Sequence, residues 1–443
     1  MIIITRALCA FTLAATTTTT HAGNADRFTL DNGMRVILRP IDGAQSTALV
    51  TLFTIGERHD PAGASGMAHM MEHLLVTAAA GDIPARTAEE WFATYAPPLG
   101  GANAQTGEDY TVLATVFPNE HLESELDDLA ARLEGLTITQ SDLDRELPRL
   151  QLELSNMFGG IPHLASMNLA REAIRPSGEG FRKGGLIDQL RAVTVDQAQR
   201  FADAYYKPRN ALVVIAGGFD ADQTRALIEQ HFADIESGDA PPPMRNRANR
   251  ADVPPQSIAI DAADWYQGAP IVITRAIAAP APDSPHYAPF LVHITRLFQK
   301  AMASYKPGDA PPVQYALIDD PHTLYIAATA TSEDGIESAR EKTNELIKAA
   351  TTESADKPVD APMTSMQFGW MFGSPNVPEA ALVNNPYGVA FALGRAELMG
   401  INWPTLRDRL NNLTREDMES AAESIFSESN SAEVIVSVAP SAP

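Results

Sequence analysis

Cysteine is all but missing from this chain: its 443 residues contain one, Cys9. A lone thiol closes no intrachain disulfide, so the fold has no covalent staple, and Cys-rich metal sites and dithiol redox chemistry are excluded with it. Basic residues are also scarce, 33 Lys and Arg against 56 Asp and Glu, for a net charge of −23. A field of that sign repels phosphate backbones and argues against a nucleic-acid partner. The arginine cluster Arg245, Arg247 and Arg250 falls in a proline-rich polar stretch and reads as a solvated loop. Long apolar runs are absent beyond the first twenty-odd residues, and even there the stretch Ala7 to Ala15 is well short of the ~20 residues a spanning helix needs. With Arg6 before it and the small residues Thr20 and Ala22 after it, this segment predicts a secretory leader over residues 1–22. Cleavage there removes Cys9 and leaves a mature chain with no thiol and no membrane span, which suits export to a bacterial periplasm.

What is present is ordinary globular material, 45% hydrophobic and 20% charged, in a chain too long for one core. The stretch from Gly238 to Gln256, GDAPPPMRNRANRADVPPQ, has no apolar period and predicts a linker over 238–256 between domains at 23–237 and 257–443. The two halves end alike. VTVDQAQRFADAYYKPRNALVVI from Val193 aligns without gaps on LTREDMESAAESIFSESNSAEVIV from Leu413, an offset of 220 residues that sets Thr194 on Thr414 and Asn210 on Asn430. So large an offset means duplicated domains rather than a solenoid. Strand signals at FTLDNGMRVILRP, TALVTLFTIG and Tyr110 to Phe117 alternate in blocks with helical signals at Ser65 to Ala79, Thr87 to Tyr95, Glu120 to Glu134 and Gln140 to Met157. The second half repeats the scheme, with strands near Ile258, Ile271, Tyr315 and Tyr325 and helices near 286–303 and 333–350. The prediction is two homologous α+β domains, each a mostly antiparallel sheet packed with helices.

Chemistry concentrates in MAHMMEHLL, residues 67–75. On a helix His69 and His73 stand at i and i+4, one above the other, where two imidazoles can bite one zinc ion, while Glu72 lies beside a metal-bound water as a general base. This is the metalloprotease motif with its order inverted along the helix. Met67, Met70, Met71, Leu74 and Leu75 read as the core face of the same helix. With ten histidines in the chain the pattern arises by chance about once in a hundred such sequences, so the flanks decide.

From Phe28 through Glu153 the chain resembles the catalytic domain of the insulinase, pitrilysin and mitochondrial processing peptidase family, in its short two-domain bacterial form. The likeness rests on FTLDNGMRVIL, Gly56, SGMAHMMEHLL, GGANAQTGEDYT at Gly100 to Thr111, and RELPRLQLE at Arg145 to Glu153. It implies a zinc metalloendopeptidase with one Zn2+ per chain, held by His69, His73 and Glu153, with Glu72 as catalytic base and Glu146 as a supporting carboxylate. Pro148 stands between the two acids, and a helix restarting there would carry Glu146 away from the site. The resemblance also places Asn103 and Ala104 at the cleft edge where substrate main chain is held, although Asn after Gly100-Gly101 equally suits a turn.

The 220-residue offset sets His69 over Pro289, Glu72 over Val292 and His73 over His293, so the second domain is expected to be non-catalytic. The resemblance makes it the opposite wall of a chamber and gives Tyr315 a role in holding substrate. The arginine usual seven residues before that tyrosine is Gly308 here, with Lys306 the nearest cation. Either Lys306 substitutes or another polypeptide supplies the group, which suits a homodimer or a heterodimer with a homologous zinc-free chain. The rival readings are a non-catalytic peptide-binding or structural subunit, and zinc as a structural staple, for which no fourth Cys or His stands at suitable spacing.

Overall fold

The protein is described from a computed structural model, covering residues 25–95, 101–159, 187–242, 256–261, 271–303, 313–315, 323–330, 332–352 and 385–439. The expected leader, most of the linker (243–255), Lys306 and Gly308 lie outside the described residues.

The first sheet has six strands, β1 (Asp26–Thr29), β2 (Arg35–Pro40), β3 (Ser46–Phe53), β5 (Gly101–Thr106), β6 (Thr111–Pro118) and β8 (Ala211–Gly217), in the order β1-β2-β8-β3-β6-β5. Two further two-residue strands, β4 (Ala79–Ala80) and β7 (Leu136–Thr137), pair with each other. The Asn-Gly signal does form the β1–β2 hairpin: Gly33 takes φ 90°, open to it for want of a Cβ, and the Asn32 amide donates to the carbonyls of Phe232 and Ile235. Central strands split by parity. Val36, Leu38, Leu49, Phe53, Val213 and Ile215 face a core shared with the helices α1 (Met67–Thr77) and α3 (Leu122–Glu134). Ile37, Val50, Leu52, Leu212 and Val214 face the other way, onto a second core. Because both faces are covered, these strands read as continuous apolar runs rather than alternating ones. The first domain also contains α2 (Ala88–Thr94), α4 (Gln140–Gly159), α5 (Ile187–Arg191), α6 (Val195–Tyr205) and α7 (Ala221–Phe232).

The second sheet contains β9 (Gln256–Asp261), β10 (Ile271–Ala278), β11 (Val313–Tyr315), β12 (Thr323–Ala330) and β13 (Ser431–Ala439), ordered β11-β12-β10-β13-β9. With it come α8 (Tyr287–Ala303), α9 (Ile336–Thr351), α10 (Pro386–Leu398), α11 (Trp403–Asn411) and α12 (Arg415–Ile425). Its five strands repeat the order of five of the six strands of the first sheet, and β1 has no counterpart among the described residues. β13 lies parallel to β9 and antiparallel to β10, as β8 lies parallel to β2 and antiparallel to β3. The duplication is therefore topological as well as sequential.

Helix α10 was not foreseen, and it crosses between halves. Its Ala390 and Phe391 complete the core on the far face of the first sheet. Gly394 permits the close approach, since a Cβ there would sit 2.5 Å from Leu52 Cδ1, and Arg395 donates to the buried Tyr110 hydroxyl at 2.7 Å. Among the described residues no helix is long and apolar enough to cross a membrane.

The repeat pins its helix–strand junctions with one device. Asn210 donates to the carbonyls of Tyr205 (2.8 Å) and Asp239 (3.0 Å), and Asn430, its counterpart, to those of Ile425 (2.7 Å) and Ala278 (2.9 Å). Each amide meets carbonyls that would otherwise be left unsatisfied, so Asn210→Ala and Asn430→Ala should each destabilise by about 1–3 kcal/mol, measured by urea unfolding; no shift in either would show these junctions to be held by packing alone.

Candidate metal centre

Buried charge holds α1 at both ends. At its start Gly66 has φ 97°, and Asp60 takes the place of a capping side chain, its two oxygens accepting from the Gly66 and Ala68 amides at 2.6 and 2.8 Å. Two orphan donors are satisfied and a negative charge meets the positive end of the helix dipole. At the other end Arg132 donates to the carbonyls of Leu75 and Ala78, and Arg86 to that of Val76; Asp128 pairs with both guanidiniums. The methionines and leucines of α1 join the core as their spacing predicts, which leaves the two imidazoles and Glu72 to the remaining face.

On that face the His69 and His73 rings stand edge to face, 5.2 Å between centroids, and ligand atoms of His69, Glu72 and His73 all fall within 4.8 Å of one another. Helix α4 adds the acids. It runs unbroken through Pro148, so the displacement of Glu146 that a restarted helix would bring does not occur. Seven residues apart, Glu146 and Glu153 reach opposite nitrogens of one ring: Glu146 Oε2 lies 3.1 Å from His73 Nδ1, and Glu153 Oε2 lies 3.4 Å from His73 Nε2 and 3.8 Å from His69 Nε2. Glu146 is fully buried and also accepts from Arg145 Nε at 2.9 Å. By accepting the Nδ1 proton of His73 it orients the ring so that Nε2 faces Glu153 and His69.

The electrostatics suit a cation. Burial works against a proton on His73, yet its bonds to Glu146 and Glu153 prevail and push its pKa up to about 9. Burial likewise opposes charge on Glu146, but the hydrogen bonds from His73 and Arg145 hold it below the usual carboxylate range. Glu153 is lowered too, first by its bond to His73. Two imidazole nitrogens and a carboxylate oxygen, with no sulfur, form a donor set that fits zinc. Zinc–ligand bonds of ~2.0–2.2 Å in a tetrahedron set donor atoms roughly 3.3–3.6 Å apart, close to the separations between Glu153 and the two rings.

One residue that sequence reasoning missed stands beside this set. Thr106, buried at the end of β5, donates to Glu72 Oε2 at 2.6 Å. The stretch Gly101–Thr106, where the sequence left a turn at Asn103 and a cleft edge equally open, is the edge strand β5; the period of two in Ala102, Ala104 and Thr106 was the available signal. Ala102 and Ala104 pack on the core that includes α1. Asn103, one residue out of phase, projects to the opposite side, where its amide donates to the Tyr387 hydroxyl at 3.4 Å. Tyr315 ends β11, the corresponding edge of the second sheet, paired with Leu324. The structure thus gathers His69, Glu72, His73, Glu146, Glu153 and Thr106, and sets the Asn103 side chain on the other face of β5.

The second domain offers no comparable set among the described residues. His293 is fully buried in α8, its Nε2 2.9 Å from the Met418 carbonyl and its ring against Phe426.

A sequence model described as Insulinase (Peptidase family M16) matches residues 35–180, and one described as Peptidase M16 inactive domain matches residues 192–292; together they span more than half of the chain. The chain belongs to the insulinase family. Zinc protease PqqE of Helicobacter pylori is 26% identical over 224 residues, 48% of this chain and 47% of the relative. The chain spans about half the length of the curated relatives it matches. The crystal structure of a protease from Helicobacter pylori superimposes with TM-score 0.76 at 16% identity, covering 94% of this chain and 100% of that one. The periplasmic protease PqqL from Escherichia coli does so with TM-score 0.66 at 15% identity, covering 93% of this chain and 47% of that one. These structural likenesses bear out the duplicated α+β fold. The zinc-protease relatives support a peptidase-type function for this insulinase-family chain, and the inactive-domain match takes in Pro289 and Val292, which stand where the first half has His69 and Glu72.

The two Asp60 bonds hold the start of the histidine-bearing helix, so Asp60→Ala should lower stability by about 1–3 kcal/mol in urea unfolding. Unchanged stability would mean that packing alone fixes α1.

Proposed function

We propose that this insulinase-family chain is an active zinc endopeptidase or oligopeptidase that hydrolyses unfolded peptides, with His69, His73 and Glu153 holding one zinc ion and Glu72 acting as general base. The observation that carries the reading is the convergence of one Glu153 oxygen on the Nε2 atoms of both rings, at 3.4 and 3.8 Å. Three protein ligands leave a coordination position open, the mark of a catalytic rather than a structural zinc site. When bound, the metal supplies Lewis-acid activation of water and polarises the scissile carbonyl. Glu72 accepts the proton of the attacking water and delivers it to the leaving amine. Glu146 keeps the His73 ring oriented.

The position of β5 supports an unfolded substrate. β5 is the last strand of its sheet and packs beside α1, and an edge strand offers main-chain donors and acceptors to an added extended segment. Asn103 and Ala104 serve this contact through the backbone of β5, and the resemblance gives Tyr315 a place on the substrate from the second domain. PqqL is about twice as long as this chain, which supports a pair of two-domain chains, as a homodimer or with a zinc-free homologue, as the working unit. The leader signal supports export to a periplasm.

One feature favours the rival reading of a non-catalytic subunit: Gly308 stands where the resemblance calls for an arginine. Metal analysis of the purified chain separates the two, since a scaffold holds no stoichiometric zinc. Glu72→Gln should retain zinc while cutting hydrolysis of a mixed peptide library by roughly 10²- to 10⁴-fold, and a variant that cuts at the normal rate refutes the assignment. Glu146→Gln should bind zinc about 10- to 100-fold more weakly in a chelator competition; wild-type affinity would show that His73 does not depend on it.

A further inference from the structure

We infer that Thr106 is a positioning residue for Glu72, and that through it the edge strand β5 sets the orientation of the general base. The inference rests on the zinc peptidase reading above. A threonine hydroxyl has one proton to give. From Thr106 Oγ1 the two acceptors in reach are Glu72 Oε2 at 2.6 Å and the Ala68 carbonyl at 3.5 Å, and the distances award the proton to Glu72. Among the described residues no other donor reaches that carboxylate. The terminal torsion of a glutamate is broad and nearly two-fold, so without this bond either oxygen could face the metal ligands. With it, Oε2 is committed to β5 and Oε1 is the oxygen left to meet the attacking water.

The bond also survives the catalytic cycle. When Glu72 takes the water proton on Oε1, Oε2 remains an acceptor for Thr106, and the proton leaves from Oε1 to the departing amine without any rearrangement at β5. Thr106 is a firm anchor for such a task. It pairs with Thr111 at the closed end of the β5–β6 hairpin, where Gly107 donates to the Tyr110 carbonyl at 2.8 Å. That hairpin turn is docked against the end of β3: the Glu57 and Arg58 amides donate to the Gly107 and Glu108 carbonyls at 3.0 and 2.9 Å. A Cβ on Gly56 would lie 2.5 Å from both Gly107 O and Tyr110 N. The rest of β5 is only partly covered. One short strand therefore joins a rigid end that holds the base to an open stretch suited to substrate main chain.

The test compares Thr106→Val, which keeps the shape and removes the donor, with Thr106→Ser, which keeps the donor. Both are measured as full chains beside wild type, for zinc content, thermal unfolding, and kcat and KM on a fluorogenic peptide that the wild-type chain cuts. Thr106→Val should keep its zinc and its KM while kcat falls by about 10- to 100-fold, and Thr106→Ser should restore kcat. A valine variant with wild-type kcat overturns the inference, as does a loss expressed in KM or zinc content, or a serine variant as impaired as valine. If Thr106→Val does not fold, Thr106→Ala is read in its place by the same criteria. A zinc-loaded wild type that cuts no peptide overturns the peptidase reading itself, and this inference with it.

Discussion

Two carboxylates of one helix bracket a single imidazole of another, and the geometry of the centre depends on that grip. Glu146 is fully buried, and an ionised carboxylate out of water costs several kcal/mol unless it is paired and hydrogen-bonded. His73 and Arg145 provide the pairing from two sides. Moving α4 away from α1 would take His73 from that charge and leave it to Arg145, a neighbour on the same helix, so the electrostatic constraint adds to apolar packing in fixing the separation of the two helices. Glu153 then arrives at the same ring by helix geometry, since seven residues bring it back to nearly the same face two turns on.

The same logic extends outward. Asp60, Arg86 and Arg132 fasten the ends of α1 through backbone groups that helix termini leave unsatisfied, and Asp128 pairs with both arginines. They limit how far α1 can slide or rotate, and a catalytic constellation tolerates only fractions of an ångström of such movement. On the far face of the sheet α10 supplies the missing cover, so the first domain completes its core with a helix from the second half of the chain. The two halves are therefore not independent beads: without α10, the apolar face around Leu52 and Val214 would be open to water.

Much of this was legible in the sequence because local and global signals agree. The Asn-Gly hairpin, the Thr194 and Thr414 capping boxes and the i, i+4 histidines each state their structure within a few residues. The repeat made the second sheet readable from the first. What was not legible depended on tertiary context. Pro148 signals a break by local rules, but α4 carries it in mid-helix, held by the burial of Leu143, Glu146 and Leu150 on one side and the Arg149–Glu89 pair on the other. Apart from Thr106, GANAQT lacks the branched and aromatic residues that mark strands; its small alanines pack on the core that includes α1. The partner sheet of α10 could not be read at all, since an apolar helix sequence does not say which surface it covers.

The asymmetry between the halves shows what the candidate metal centre adds to this fold. α8 repeats the place of α1 and keeps one imidazole, at His293, where the first half has His73. Its surroundings differ in kind. His293 Nε2 meets the backbone carbonyl of Met418, and its ring lies on Phe426, so the side chain is spent inside the core. Pro289, within the first turn of α8, replaces the other imidazole and costs the helix nothing there. In the first half two acids bracket His73 and Thr106 holds Glu72. The second domain has the same sheet topology and, among its described residues, no comparable cluster of ligand side chains.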